Sequence, residues 1–296
     1  MTEVLILSDG RAGHLNQSIA FVKYLNCRYD IVNVSFKSKL HKSLSYLFDF
    51  FGLKIKSLFV IDVKKNYKIL VSTGSTTYYA TKVLAKQMSA KSIVMMLPKG
   101  YQLDFDTIFA QNHDHPPIQK NIIIIPANFS YIEPKHIYIP EKKSIGIIIG
   151  GDNKVSKISL SRLKIQLDFI KKFYKNYEIA ITTSPRTSVQ IESFIESYKF
   201  DYTVIYSNTP INPIPDFLEK CQVVFITEDS TSMISEAVSY GKASVIVLPS
   251  ENGFGNKFKE FIAFLEEEEY LHVFDGTIKK KNRKISFSRY VPKVMG

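Results

Sequence analysis

Cysteine is scarce in this chain: Cys27 and Cys221 are the only two among 296 residues. Two thiols exclude a disulfide framework and a thiolate zinc site, so a reducing compartment is the expected setting and both read as inert. Long apolar runs are missing as well. The strongest, IIIIPA (122–127) and IGIIIGG (145–151), fall far short of the roughly 18 residues a membrane span needs. The opening residues, MTEVLILSDG, have no basic leader region and carry Glu3, Ser8 and Asp9; they read as a strand, not a secretory signal. No short-period repeat is present. The low-complexity stretches are Glu266 to Glu269 and the basic run Lys279, Lys280, Lys281, Arg283, Lys284, both read as solvated charge. At 45% hydrophobic and 23% charged residues, a collagen, a mucin-like stalk and a disordered tail are excluded. Acids are outnumbered, 28 against 39 Lys and Arg, for a net +11. That balance favours a polyanion, an anionic membrane surface or a phosphorylated ligand.

Along the chain, short Val- and Ile-rich runs end in Gly, Ser, Thr or Asp and alternate with segments of helical spacing, which predicts parallel α/β structure. Strands are expected at 3–8, 29–36, 68–73, 91–97, 106–111 and 121–127, with helices at 14–26 and 76–89. The rhythm restarts with strands at 143–151, 177–184, 202–207, 221–228 and 243–249 and helices near 158–174, 187–198, 230–240 and 257–267. Residues 128–143, with Pro134 and Pro140 and no clean period, suit an interdomain connection. The expected domains are therefore 1–140 and 141–296. The first holds 17 basic and 9 acidic residues, the second 22 and 19. Much of the excess lies in 36–60, where Lys37, Lys39, Lys42, Lys54 and Lys56 interleave with Leu40, Leu44, Leu47, Phe48, Phe51 and Phe59. That composition suits a helix lying in a lipid headgroup layer, or equally a core-packing helix with its lysines in water.

In doubly wound sheets, ligands gather beyond the carboxyl ends of the strands, so chemistry is sought there. After the first strand comes SDGRAGHLNQ. Gly10 and Gly13 permit close backbone approach, and Arg11, His14, Asn16 and Gln17 crowd a helix start. The G-x-G-x-x-G spacing is absent and no acid ends the second strand, which argues against a NAD-dependent oxidoreductase. STGSTTY (72–78) offers a small anion or hydroxyl corner that includes Ser75. In AQNHDHPP, a His beside Asp114 suits a general base, His113 being the candidate, whereas His113, Asp114 and His115 would diverge on extended chain and make poor metal ligands. Asp104 and Asp106 form an Asp-x-Asp ahead of a strand, the wrong end for a sugar-nucleotide metal site, and read as structural.

In the second half, Gly150 and Gly151 with Asp152, Asn153 and Lys154 form a loop whose amides and cation suit a phosphate. TEDSTSMISEA carries Glu228 and Glu236 in a Glu-x7-Glu spacing. Asp229 or Ser230 is placed to cap the helix, leaving the Thr231 and Ser232 amides and the dipole for a diphosphate. Glu236 is placed to accept hydrogen bonds from a ribose diol, and Arg186 and Lys257 to neutralise leaving-group charge.

Taken together, SDGRAGHLNQS (8–18), NHD (112–114), GG (150–151), TTSPRT (182–187) and TEDSTSMISEA (227–237) resemble the elongated-mitochondria (mitochondrial fission) family. Its plant members are named for organelle division, and its bacterial relatives are regarded as GT-B glycosyltransferases. The resemblance implies two Rossmann-like doubly wound domains facing across a cleft, a GT-B-like α/β fold. It puts Arg186, Glu228, Asp229, Ser230 and Glu236 on the nucleotide-sugar side, and Asp9, Gly10, Gly13, His14 and His113 on the acceptor side. The tail after 275 shows no clear helix to cross back to the first domain, as GT-B chains often do. The expectation is a metal-independent glycosyltransferase with no cofactor beyond its nucleotide-sugar co-substrate. It would act on a lipid-linked or cell-envelope glycan, be cytoplasmic and peripheral to the inner membrane through 36–60, and have no nucleic-acid partner. His14 or His113 is then the base of an inverting reaction, with Asp9 beside it, and Glu228 the carboxylate of a retaining one. A non-catalytic membrane adaptor and a nucleotide-sugar epimerase are the alternatives.

Overall fold

The computed structural model describes residues 3–152, 157–250, 256–279 and 283–295. Two units form, one from Met1–Tyr131 with Phe287–Gly296, the other from Ile132–Ser286.

The first unit runs β1 (Glu3–Ser8), α1 (Ala12–Leu25), β2 (Arg28–Asn33), β3 (Ser35–Phe36), α2 (Lys39–Phe50), β4 (Phe59–Val60), β5 (Ile69–Ser72), α3 (Tyr78–Met88), β6 (Lys91–Val94), β7 (Thr107–Gln111) and β8 (Ile122–Ile125). Six strands pair in parallel in the order β2-β1-β5-β6-β7-β8, and β3 and β4 make a small antiparallel ribbon. The central strands are unbroken apolar runs because helices cover both faces of a parallel sheet; Val4 to Leu7 are fully buried.

Helix α2 packs through Leu44, Tyr46 and Phe48 and through a set of polar atoms. Ser38 caps it by accepting from the His41 amide, while Asp49 points inward. Lys82 Nζ donates to both Asp49 oxygens at 2.8 Å and to the Gln102 carbonyl at 2.8 Å. Lys54 reaches Asp49 at 3.0 Å, and the Gln102 amide donates to it at 2.8 Å. Asp104 joins the same cluster through Lys82 and Lys54. Asp106 accepts from the Ser92 amide and hydroxyl at 2.7 Å. Both members of the Asp-x-Asp thus tie chain segments together.

The second unit runs β9 (Ser144–Ile148), α4 (Leu160–Phe173), β10 (Glu178–Thr182), α5 (Val189–Ser197), β11 (Tyr202–Val204), α6 (Ile214–Lys220), β12 (Val223–Thr227), α7 (Thr231–Ser239), β13 (Ser244–Leu248), α8 (Asn256–Glu267) and β14 (His272–Val273). Its parallel sheet has the order β11-β10-β9-β12-β13-β14, which is 3-2-1-4-5-6 in the unit's own numbering, the Rossmann order. Asp216 of α6, fully buried, accepts four consecutive amides: Lys135 at 2.8 Å, His136 at 2.9 Å, Ile137 at 2.8 Å and Tyr138 at 3.2 Å. Burial pushes its carboxyl up, but the four donors outweigh that and hold it below the usual carboxylate range. Tyr138 donates to Glu178 at 2.8 Å and packs on Tyr202 and Phe217.

The boundary expected near 140 therefore falls after Tyr131, because 135–138 is bound to α6. Nor does all of 141–296 stay in the second unit. A 3-10 turn, Phe287–Tyr290, and α9 (Pro292–Met295) belong to the first. Phe287 stacks on Phe129 at 4.6 Å, and Lys91 Nζ donates to the Val294 carbonyl at 3.3 Å. So short a return, held by aromatic contacts, has too few residues to show a period.

Candidate functional site

In the second unit the chain order reverses between β9 and β12, so the loops leaving these strands diverge and open a crevice at the carboxyl edge. Gly150 and Gly151 follow β9; Glu228, Asp229 and Ser230 follow β12. The Gly150 amide donates to Thr227 Oγ1 at 2.7 Å and the Gly151 amide to Asp229 Oδ2 at 3.0 Å. Thr227 Oγ1 donates to Asp229 Oδ1 at 2.6 Å, and Arg186 Nη2 to Asp229 Oδ2 at 2.8 Å. Thr187, beside Arg186 in the loop after β10, donates its hydroxyl to the Gly150 carbonyl.

These contacts change what the glycines do. Their amides are occupied by Thr227 and Asp229 and do not point at a phosphate. The need for glycine is spatial: a Cβ on Gly150 would fall 2.0 Å from Asp229 Oδ1, and one on Gly151 2.0 Å from the Arg186 carbonyl oxygen. Asn153 and Lys154 lie outside the described residues. Burial pushes the Asp229 carboxyl above its usual range, against the Thr227 hydroxyl, the Gly151 amide and Arg186, which favour the ion. Asp229 serves as an anchor, and Ser230 is the cap, accepting from the Met233 amide at 3.3 Å. Among the described residues the amides of Thr231 and Ser232, in the first turn of α7, have no partner. The guanidinium of Arg186, 43% exposed, has Asp229 as its only partner there.

Beside this cluster lies a small pocket walled by Ser159, Arg162 and Gln166 of the α4 end and by Glu228 and Ser250. Ser250 donates its amide at 2.7 Å and its hydroxyl at 2.5 Å to Glu228 Oε1, so the loops leaving β12 and β13 are tied together at the pocket wall. Glu236 stands five residues beyond Thr231, about 7 Å along α7 by the helical rise. Its carboxyl has no hydrogen-bond partner among the described residues, and burial pushes it up to about 7. Lys257 is exposed on the first turn of α8.

The first unit has its own reversal between β1 and β5. Here His14 Nδ1 lies 2.9 Å from the buried carboxylate oxygen Asp9 Oδ2. Arg11 is exposed beside them, its amide donating to Asp9 at 3.2 Å. The loop after β5 closes directly on the pair: a Cβ on Gly74, at φ +98°, would sit 2.4 Å from His14 Nδ1 and 2.9 Å from Asp9 Oδ2. The neighbouring Ser75 accepts from Lys42 Nζ at 2.9 Å. Gly10 is exposed at φ +80°, the Gly13 carbonyl accepts weakly from Gln17, and Asn16 is exposed on α1. His113 and Asp114 occupy a 3-10 turn, Asn112–Asp114, not extended chain, at the exit of β7. Asp114 is buried and pairs with Lys99 at 3.3 Å. Burial raises the Tyr78 phenol, and the charges of Asp114 and Asp9 push it further; both carboxylates thus act on one neighbourhood.

The positions missed from sequence as site residues are Lys42, Arg162, Gln166 and Ser250, while Gly74, Thr187 and Thr227 lay inside the quoted motifs without a role of their own. Thr227 and Ser250 sit at or just past strand ends, where ligand-binding residues of a doubly wound sheet are to be sought. Lys42 pairs across 33 residues, which no local pattern reveals.

Comparison with known proteins agrees with this architecture. An uncharacterized protein of Rickettsia prowazekii (strain Madrid E) is 26% identical over 93% of this chain and 91% of its own. Among solved structures, UDP-GlcNAc 2-epimerase from Methanocaldococcus jannaschii superposes with a TM-score of 0.51 at 14% identity, covering 100% of this chain and 98% of its own. MurG of Acinetobacter baumannii gives 0.50 at 11% identity, covering 100% and 90%. The fold is GT-B-like. The family described as Mitochondrial fission ELM1 matches residues 12–289, and the chain belongs to it.

Proposed function

We propose that this protein is a metal-independent glycosyltransferase that moves a sugar from a nucleotide-sugar donor to a lipid-linked or cell-envelope glycan at the cytoplasmic face of the inner membrane. The observation that carries the reading is Arg186, held by Asp229 next to the open first turn of α7 at the sheet reversal. A departing nucleoside diphosphate gains negative charge there, and a fixed guanidinium with the positive end of a helix stabilises that charge without reorganising. Glu236, without a hydrogen-bond partner among the described residues, is placed to receive the ribose diol. On the acceptor side, Asp9 fixes the tautomer of His14, the group that takes the proton from an attacking hydroxyl. His113 stands as the second base. In a retaining reaction Glu228 would be the carboxylate of interest.

Thermal unfolding with UDP, GDP, CMP and dTDP compounds tests the donor site, because a ligand bound only by the folded state adds about 2.7 kcal/mol at a hundred times its Kd. UDP comes first, since a neighbour in fold is named for UDP-GlcNAc. One nucleotide should stabilise the parent protein and not Arg186→Ala. Hydroxyls donating to Glu236 favour its carboxylate, so affinity should rise with pH through about 7 and lose that slope in Glu236→Gln. If no compound stabilises the protein at millimolar concentration, the non-catalytic adaptor replaces this reading. The shared fold of a 2-epimerase supports a second reading, epimerisation of a nucleotide sugar; donor turnover without any glycan acceptor would select it.

A further inference from the structure

Helix α2 carries large apolar side chains on two faces: Leu44, Tyr46 and Phe48 pack against the core of the first unit. Its buried positions are Ser45 and Asp49, whereas Leu40 is 67%, Leu47 50%, Phe50 70% and Phe51 63% exposed. Positions 40, 47 and 50–51 recur with the helical period, so these side chains line one outward stripe, and the exposed Leu53 continues it. A surface helix ordinarily keeps its large apolar residues on the inward face alone. The inward face is explained by the Lys82–Asp49–Lys54 cluster and by the core contacts of Leu44, Tyr46 and Phe48; the outward face is unexplained by the fold.

Charge narrows the occupant. Asp49 is the sole acid between residues 36 and 60, and it is buried and neutralised. Lys37, Lys39 and Lys56 are exposed around the stripe, and the half-exposed Asp104 nearby is held by Lys54 and Lys82. Large apolar side chains ringed by lysines, with no free acid among them, complement an anionic lipid headgroup layer. A second copy of the chain would set lysines against lysines.

We propose that this face docks the protein on an anionic bilayer, with Leu40, Leu47, Phe50 and Phe51 entering the headgroup layer and Lys37, Lys39 and Lys56 meeting its phosphates. It rests on the transferase reading only in that a lipid-linked acceptor gives docking a purpose.

Co-sedimentation of the full chain with vesicles tests it. The parent protein should bind phosphatidylcholine vesicles containing about a third phosphatidylglycerol, and bind pure phosphatidylcholine about tenfold more weakly or worse. Added salt should weaken the anionic binding. Phe50→Glu with Phe51→Glu, and separately Lys37→Glu with Lys39→Glu and Lys56→Glu, should each lower it about tenfold or more. All these positions are exposed, so both variants should melt like the parent and keep its response to nucleotide. Failure of the parent to bind anionic vesicles, or undiminished binding by both variants, overturns the proposal. So does a concentration-dependent dimer in sedimentation equilibrium that Phe50→Glu abolishes, which would make a second copy the occupant. Vesicle binding without any nucleotide response would instead overturn the donor reading alone.

Discussion

Asp49→Ala is expected to destabilise the first unit by about 3–5 kcal/mol, the range for removing one partner of a buried ion pair. Lys82, whose side chain is 3% exposed, would keep its charge and lose both short hydrogen bonds, and the Gln102 amide would lose its acceptor. Asp104, still beside Lys82, limits the loss. Asp49→Leu combined with Lys82→Met should recover most of it, because an apolar pair of similar volume leaves no uncompensated charge. The effect also has a pH signature. Burial pushes the Asp49 carboxyl up, but the Lys82 hydrogen bond, the Gln102 amide and Lys54 outweigh that and hold it below the ordinary range. A depressed carboxylate contributes stability that is complete above the unfolded value, about 3.9, and is lost as pH falls through the folded one. Asp49→Asn should flatten that acid limb. The chain has no tryptophan, so urea unfolding followed by circular dichroism is the suitable measurement. Equal stability of parent and Asp49→Ala would mean that the cluster does not hold α2.

Gly151→Ala is expected to cost about 3 kcal/mol, the upper end for overpacking, and to abolish nucleotide-induced stabilisation. The added Cβ would lie 2.0 Å from the Arg186 carbonyl oxygen, 2.1 Å from its carbon and 2.6 Å from the Thr187 nitrogen. All three are backbone atoms, so the loop after β10 must move and carry Arg186 with it. Gly150→Ala differs in kind. Its Cβ meets the Asp229 carboxylate, a side chain that can swing aside by releasing Arg186, so binding should suffer more than stability. Gly52 is the comparison: nothing lies within 4 Å, but φ is +70°, and Ala there should cost only the roughly 1–2 kcal/mol of left-handed backbone. A Gly151→Ala protein that melts like the parent and still responds to nucleotide would refute the described packing.

The parallel architecture was legible because strands covered on both faces must be continuously apolar, as in Val223–Thr227 and Ser244–Leu248. The polar residues at their exits were legible for the same reason, since little else breaks such runs. Helix α6 was not, because seven residues starting beside Pro213 and Pro215 show no period. The need for Gly150 and Gly151 was visible but its cause was not. Spacing cannot tell a glycine that admits a ligand from one that admits Asp229 or the Arg186 backbone. Nor could it separate Asp229 the anchor from Ser230 the cap, since either residue type suits a helix start. Gly74 was legible only as part of the STGSTTY corner, because what it accommodates, the Asp9–His14 pair, is some sixty residues away.

The four amides gathered by Asp216 decide where an excised piece of this protein can begin. A fragment spanning 132–286 carries Lys135 to Tyr138 with it and keeps every donor. One cut at 141, where sequence periodicity resumes, strips all four at once and strands a carboxylate in the interior. The longer piece should be recoverable in folded form; the shorter should be insoluble or proteolysed unless Asp216 is made apolar. The proline-bearing stretch is therefore fastened to the second unit through its backbone amides, while Lys135, His136, Ile137 and Ile139 keep their side chains exposed.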